Sequence, residues 1–298
     1  MRAAAVFGLG SSPRDLEPFA HDTSTQWTIG LPTSPETADA ILIFGGDGTA
    51  HRHLPQLVKL KRPVLVVPRG SGNDFARALN LQDVRNAIAA WRAFCERGTN
   101  THTIDLGVIT ARTSSPASIA ETQPATSHYF CCVGGCGLDA DAGRLANSMP
   151  AWFRAHGGYV ISVIFALIRF KPIMMNIQFR DGESDAFVER SSGPAMLLAF
   201  ANAPTYGGGM KIAPHAQLDD GKLDFCLVNR VGKFRLTRLF PMVYRGRHLE
   251  IPEIDYFQSD RVRLDTGTPI DVYADGEYVC RTPIEMTVAP RALTVITG

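Results

Sequence analysis

Up to about residue 100 the apolar positions fall in short unbroken runs, AAAVF, AILIF and VLVV, each bounded by Gly, Pro or Asp. Runs of that length, flanked by turn formers, predict strands covered on both faces. TQWTIG adds a shorter strand between the first two. From Asp74 to Gly98 the period changes: Phe75, Leu79, Val84, Ile88 and Trp91 recur at helical spacing, and Gly98 marks the end. Strands alternating with helical stretches predict a parallel sheet with helices against its faces. Little chain separates the first strand from ADAILIF, so the crossovers there are expected to be abridged.

From about Thr101 the pattern becomes that of an all-β region. THTIDLGVIT, SHYFCCVGG, MMNIQFR, AMLLAFANA, KLDFCLV, RVRLDT, PIDVYADG and EMTVAP are predicted strands separated by Gly, Pro, Asp and Asn, as in an antiparallel sandwich or barrel. Two helical intervals, Trp152 to Phe170 and Phe234 to Tyr244, interrupt them. The Ser/Thr/Pro/Ala-rich stretch from Ala111 to Ser127 reads as a loop between strands. The expected fold class is thus α/β plus all-β. An α/β domain covers 1–108 and an antiparallel β-sandwich covers 109–283, with the last strand, at about 284–298, returning to the first domain.

Composition narrows the function classes. Apolar content of 45% and charged content of 20% over 298 residues describe a globular chain long enough for two domains. The formal charge of +1 gives no global preference for nucleic acid, so any electrostatic preference must be local. Six cysteines lack paired C-x-x-C spacing; Cys131, Cys132 and Cys136 read as buried strand residues rather than a metal cluster. The N-terminal apolar run is too brief for a signal peptide and reads as a strand. The longest apolar run, Gly157 to Ile168, is far short of the roughly 20 residues of a membrane span. A cytoplasmic location is expected.

The chemistry begins where AILIF ends. In FGGDGTAHRH, Phe44 to His53, Gly45, Gly46 and Gly48 surround one carboxylate, Asp47, ahead of Thr49. Glycine lets a ligand approach the main chain with no β-carbon in the way, and successive N–H groups in such a bend make a concavity for phosphate. Asp47 could then hold Mg2+ against phosphates or orient a reacting hydroxyl. Thr49 could cap the next helix or bond a phosphate. A plain strand-to-helix turn would use the same residues. A second bend, RGSGNDFARAL, follows VLVVP: Gly70 and Gly72 bare the backbone, with Ser71, Asn73 and Asp74 at the start of a helix. Two such bends on adjacent parallel strands would face each other at the carboxyl edge of the sheet, where open α/β sheets bind ligands. Neither contains the G-K-S/T of a Walker A loop.

GGDGT, then PRGSGNDFAR, IDLG (Ile104 to Gly107), GCGLDADA (Gly135 to Ala142), NAPTYGGGMKIAPHAQLDDGKLD (Asn202 to Asp224) and ADGE (Ala274 to Glu277) form a set spread over nearly the whole chain. In that set the sequence resembles the diacylglycerol kinase catalytic-domain superfamily, which includes bacterial diacylglycerol kinases, sphingosine kinases and ceramide kinases. GGDG alone would also fit NAD kinases and some phosphofructokinases. The resemblance implies a nucleotide-binding α/β domain, a lipid-binding β-sandwich and an active site in the cleft. ATP and Mg2+ are the implied cofactors, for phosphoryl transfer to the hydroxyl of a lipid alcohol such as diacylglycerol or a sphingoid-like lipid.

Residue by residue, the resemblance implies ATP binding by Gly45, Gly46, Asp47, Gly48, Thr49, Ser71 and Asn73, with Asp74 instead capping the helix that follows. It implies Glu277 as proton acceptor and Asp275 beside it, helping to place Mg2+. Alternation in a strand would put both on one face, whereas a surface hairpin turn is the plain alternative for D-G-E. In QLDDGKLDF it implies a structural Mg2+ held by the Asp220 carboxylate and the carbonyls of Gln217 and Lys222, a bare hairpin turn being the alternative. Asp139 matches a carboxylate that meets the lipid head group in sphingosine kinases; Asp141 could also serve.

The chain departs from the family pattern in three places. GLGSSP, Gly8 to Pro13, replaces an asparagine-proline phosphate motif, His51 and Arg52 stand where Asn-Glu is usual, and Cys132 stands where asparagine is usual. These departures leave room for an altered substrate or a slower enzyme. NRVGKFRLTRLFPMVYRGRH, Asn229 to His248, carries six Lys or Arg and no acid among interleaved apolar residues. It reads either as a basic amphipathic helix on anionic lipid or as a solvated helix packed on the sandwich. The apolar helix Tyr159 to Ile168 could line an acyl groove or be core. The expected partners are a lipid substrate, peripherally an anionic membrane at the inner membrane surface, and a second copy in a homodimer, with no nucleic acid. The rival readings are an NAD kinase-like enzyme with a soluble substrate and an inactive nucleotide- or lipid-binding regulator.

Overall fold

The unbroken apolar runs of the N-terminal part form a parallel sheet. In the computed structural model, which describes residues 1–21, 24–112, 126–138, 170–180 and 186–298, the runs become β1 (Arg2–Phe7), β3 (Ala40–Gly45) and β4 (Val64–Pro68), with β2 (Gln26–Ile29) between the first two in sequence. β1 pairs in parallel with β2 and β3, and β3 pairs in parallel with β4. Every residue of β3 and β4 is buried, as expected of strands covered on both faces. The crossovers are indeed short. Among the described residues, a 3-10 turn and the one-turn helix α1 (Glu17–Ala20) join β1 to β2, and a single 3-10 turn lies between β2 and β3.

Among the described residues, contacts divide the chain into two units, Met1–Leu106 with Pro290–Gly298, and Gly107–Ala289. The boundaries fall inside β5 (Thr101–Ala111) and β15 (Ile284–Ile296). Within the first unit, β15 pairs in parallel with β4 at Val295 and Val64. There, buried Asp105 accepts a hydrogen bond from the Arg291 N–H at 2.6 Å.

The helical period from Asp74 to Gly98 belongs to two helices rather than one. α2 (Asp47–Leu60) follows β3, then α3 (Asp74–Ala78) follows β4 and α4 (Val84–Arg97) completes the set. The break has local causes: Asn80 adopts φ +61°, and Asp83 caps α4 by accepting from the Asn86 N–H at 2.8 Å. Gly98 ends α4 with φ +64°. Trp91, fully buried on α4, donates its Nε1–H to the Phe19 carbonyl of α1 at 3.2 Å.

The second unit is antiparallel throughout its described strand pairs. The segment SHYFCCVGG is two strands, β6 (Ser127–Phe130) and β7 (Val133–Gly137), split at Cys131 and Cys132. The remaining strands are β8 (Ile173–Arg180), β9 (Phe187–Ala201), β10 (Leu223–Asn229), β11 (Ile254–Ser259), β12 (Arg261–Asp265), β13 (Asp271–Ala274) and β14 (Glu277–Arg281). The long β9 pairs with β8, β7 and β10; β10 also takes β11, β12 joins β8 to β15, and β13 lies between β7 and β14. Side chains from these strands form one core around Phe130, Phe200, Phe225, Met175, Leu264 and Met286, the sandwich-like interior that the succession of short strands and turn residues predicts.

β11 and β14 were not expected. IDYFQS is broken by Asp255, Gln258 and Ser259, and EYVCR has just three apolar residues between Glu277 and Arg281, so neither shows a long apolar run. The interval Phe234 to Tyr244 is two short helices, α5 (Lys233–Leu239) and α6 (Pro241–Tyr244), because Pro241 begins the second. The interval Trp152 to Phe170 lies outside the described residues except for Phe170, which is buried. Among the described residues no helix is long and apolar enough to cross a membrane.

Candidate active site

In the first unit the two glycine-rich bends touch. Register pairs Gly45 with Pro68 at the ends of β3 and β4, so both bends leave the same carboxyl edge. A β-carbon on Gly70 would lie 2.5 Å from the Gly46 Cα, and one on Gly46 would lie 2.9 Å from the Gly70 Cα. Main chain meets main chain here, and no residue larger than glycine fits at either position without moving backbone.

Three side chains brace this contact. Asn73, at φ +55°, is the N-cap position of α3. Its Oδ1 accepts from the Gly70 N–H at 2.8 Å and its Nδ2 donates to the Gly70 carbonyl at 2.7 Å, so the amide closes the loop 70–73 on itself. Asp47 accepts from the Asp74 N–H at 3.1 Å and the Phe75 N–H at 2.9 Å. A carboxylate in the first bend thereby holds the first amides of the helix that the second bend starts, a favourable place for negative charge. Thr49 lies under the end of β1, since a β-carbon on Gly8 would sit 2.2 Å from its Oγ1 and one on Gly45 2.5 Å from it.

Two capping expectations are corrected. Thr49 does not cap α2, whose N-cap is Gly46. Asp74 is the first residue of α3 rather than its cap, is 2% exposed, and pairs with Arg77 at 2.6 Å. Ser71 is exposed on the bend. In GLGSSP, the Ser11 hydroxyl donates to the Gly8 and Phe44 carbonyls at 2.9 and 2.7 Å, tying that loop to the end of β3. Sequence reading passed over Arg69, a cation immediately before the second bend, whose guanidinium pairs with Asp15. Its position next to GSG was the available signal.

In the second unit, the strand alternation proposed for Asp275 and Glu277 fails. Ala274 pairs with Glu277 across the β13–β14 hairpin, and Asp275 and Gly276 form its two-residue loop at φ +50° and +84°. Asp-Gly with positive φ at both positions is the turn that matches the twist of a hairpin. Asp275 is nonetheless buried, at 8% exposure. Its two oxygens accept from the Cys131 N–H at 2.9 Å and the Cys132 N–H at 2.8 Å, and the Cys131 thiol lies 3.5 Å away. Asn202 reaches the same corner, donating its Nδ2–H to the Cys131 carbonyl at 3.3 Å. Glu277 is half-buried at the start of β14.

Among the described residues, Cys131, Cys132 and Asp275 are the one trio of His, Cys, Asp or Glu side chains whose ligand atoms lie within 4.8 Å of one another. Two thiols suit a soft metal, whereas Mg2+ takes oxygen donors, and the carboxylate is already engaged by amides. Cys136 is not part of the trio. The Asp220 turn has the chemistry Mg2+ takes: its Oδ1 accepts from the Lys222 N–H at 3.0 Å, Gly221 turns the chain at φ +73°, and Gln258 lies 3.4 Å from Oδ2. A carboxylate with main-chain carbonyls such as those of Gln217 and Lys222 makes an all-oxygen set. Beside it, burial pushes the Asp224 carboxyl up, against the hydrogen bonds from Tyr256 and Gln258 that pull it down. Asp139 and Asp141 lie outside the described residues.

Comparison with known proteins gives the family. Residues 24–109 match the diacylglycerol kinase catalytic domain, and residues 133–297 match the YegS C-terminal NAD kinase beta sandwich-like domain. A diacylglycerol kinase of Mycobacterium tuberculosis is 31% identical over 258 residues, covering 87% of this chain and 76% of that protein. One from Bacillus subtilis is 27% identical over 296 residues, covering 94% and 88%. The crystal structure of a diacylglycerol kinase from Bacillus anthracis superposes over 100% of this chain and 97% of its own, with a TM-score of 0.67 at 17% identity, a likeness of fold. The chain belongs to the diacylglycerol kinase family of lipid kinases.

Proposed function

We propose that the protein transfers the γ-phosphoryl group of ATP, with Mg2+, to the hydroxyl of a lipid alcohol, diacylglycerol or a sphingoid-like lipid. The observation that carries the reading is the main-chain contact between Gly46 and Gly70 at the carboxyl edge of β3 and β4. Bare backbone on two converging bends, next to the first amides of α2, is built for a chain of phosphates. In this reading Gly45, Gly46, Asp47, Gly48, Thr49, Ser71 and Asn73 form the ATP site. Asp47 and Asn73 act mainly by holding the bends in place, since their side chains already bond backbone.

Glu277 takes the proton of the acceptor hydroxyl. Asp275 shapes that corner by gripping the Cys131 and Cys132 amides, a different task from the metal placement expected of it. Asp220, with the carbonyls of Gln217 and Lys222, would hold a structural Mg2+; a further Mg2+ bound with ATP would neutralise phosphate charge. Asp139 meets the lipid head group. The chain's own contribution is orientation and fixed dipoles rather than covalent chemistry. The cytoplasm, which supplies ATP, is the corresponding location.

Purified protein incubated with ATP, Mg2+ and a panel of diacylglycerol, a sphingoid base, ceramide and NAD, read by mass spectrometry, tests this. A phosphorylated lipid is expected. Phosphorylated NAD with no lipid product would turn the reading to an NAD kinase-like enzyme, and ATP binding without any product to an inactive regulator.

A further inference from the structure

Helix α5 carries an apolar side chain on the wrong face. Leu236 and Phe240, four residues apart and half-buried, mark the side turned toward the protein. Phe234 and Arg238, also four apart, share the opposite side, and both are exposed. Phe234 is 86% exposed, more than any other large apolar side chain among the described residues. A helix that merely packs on a sandwich puts polar groups there.

The exposed charges along this segment are predominantly basic. Arg230 precedes α5, Arg238 lies on it, Arg245 follows α6, and Lys211 reaches within 3.8 Å of where a β-carbon on Gly246 would lie. Among the described residues, the side chains of these four cations form no ion pair. Arg235 and Arg247 are neutralised, by Glu253 at 2.9 Å and Glu250 at 3.0 Å. From Asn229 to Leu249 no acidic residue occurs. Four unpaired cations on and beside the α5–α6 segment are costly to place against the same segment of a second copy, which a two-fold dimer through it would require. Their complement is an extended anionic surface.

We propose that the α5–α6 segment docks the protein on an anionic lipid bilayer, Phe234 entering the acyl boundary while Arg230, Arg238, Arg245 and Lys211 lie among the head groups. A ring at the interface flanked by cations is the standard economy of such surfaces. The inference deepens the lipid-kinase reading and rests on it only for why a bilayer is the partner.

The test is co-sedimentation of the whole protein with phosphatidylcholine vesicles, with and without about a third phosphatidylglycerol. Binding is expected with the anionic vesicles alone, and it should be released as salt rises from about 0.1 M to 0.5 M. Phe234→Ala should weaken partition roughly tenfold. R238E/R245E should weaken it by well over tenfold, each lost cation alone counting for about fivefold. Both variants should phosphorylate detergent-dispersed diacylglycerol at the wild-type rate, which also shows that they are folded. Equal binding to neutral and anionic vesicles, or unchanged binding by both variants, overturns the proposal. So does a wild-type dimer that Phe234→Ala converts to monomer with vesicle binding unaltered. Vesicle binding without phosphorylation of any lipid would overturn the kinase reading and leave this surface standing; phosphorylation of dispersed lipid without vesicle binding would do the reverse.

Discussion

Replacing Asp275 separates support from chemistry. Its carboxylate receives two amide hydrogen bonds at 2.9 and 2.8 Å in a residue that is 8% exposed. A hydrogen bond to a charged group nets about 1.5–3 kcal/mol. Asp275→Ala orphans both amides and should therefore cost about 3–6 kcal/mol. Alanine at φ +50° adds about 1 kcal/mol more, because the left-handed region suits Asp and Asn better. Against the roughly 5–15 kcal/mol that holds a domain together, the alanine variant should be marginal at assay temperature. Asp275→Asn keeps one acceptor oxygen and tolerates the turn, so its cost should be about 1.5–3 kcal/mol. With a urea slope of about 3 kcal/mol per M, that moves the midpoint down by about 0.5–1 M, measured by far-ultraviolet circular dichroism. If Asp275→Ala abolished turnover but left the midpoint within about 0.2 M of wild type, the carboxylate would be serving chemistry and not the Cys131–Cys132 corner.

Gly70→Ala drives a β-carbon to 2.5 Å from the Gly46 Cα. It should destabilise by about 1–3 kcal/mol and weaken ATP binding at least about tenfold by calorimetry; unchanged ATP affinity would deny the bends their role. Glu277→Gln should lower turnover by about 100- to 10,000-fold with the KM for ATP little changed, and a wild-type rate would exclude Glu277 as the base. His248 is 1% exposed and burial lowers its pKa from 6.5, while its Nε2–H donates to the Ile212 carbonyl at 3.0 Å and its Nδ1 is buried with no partner among the described residues. The unfolded chain takes up the proton first, so this stability is present above pH 6.5 and is lost as the pH falls toward the depressed native value. Urea titrations should show a slope of at most about 1.4 kcal/mol per pH unit in that window, flattened in His248→Gln; equal slopes would place the proton elsewhere.

The parts of the fold legible in the sequence are those where burial is simplest. β1, β3 and β4 are buried nearly throughout, on both faces, and so their unbroken apolar runs declare themselves. β11 and β14 do not, since IDYFQS and EYVCR mix charged and apolar side chains on strands that are only partly buried. The step from Leu79 to Val84 is five residues, one more than a helical face allows, and is the only trace of the break between α3 and α4 in the apolar pattern; the stop itself depends on a left-handed Asn80 and the Asp83 cap. Of the site, the two bends were legible from composition and order alone. The bracing was not. Asp47 reaches amides of another helix, and Asp275 bonds amides far away in sequence at Cys131 and Cys132. A strand-alternation argument could not anticipate either, and for Asp275 it pointed the wrong way, since Asp-Gly is the hairpin loop itself.

The central claim concerns where a phosphoryl group goes. ATP labelled at the γ-position, mixed with the purified protein, Mg2+ and detergent-dispersed diacylglycerol, sphingoid base and ceramide, gives the direct answer. The account predicts that label appears in a phosphorylated lipid at a rate proportional to enzyme, and that Glu277→Gln all but stops it. Folded wild-type protein that binds ATP yet leaves every lipid unlabelled would contradict it.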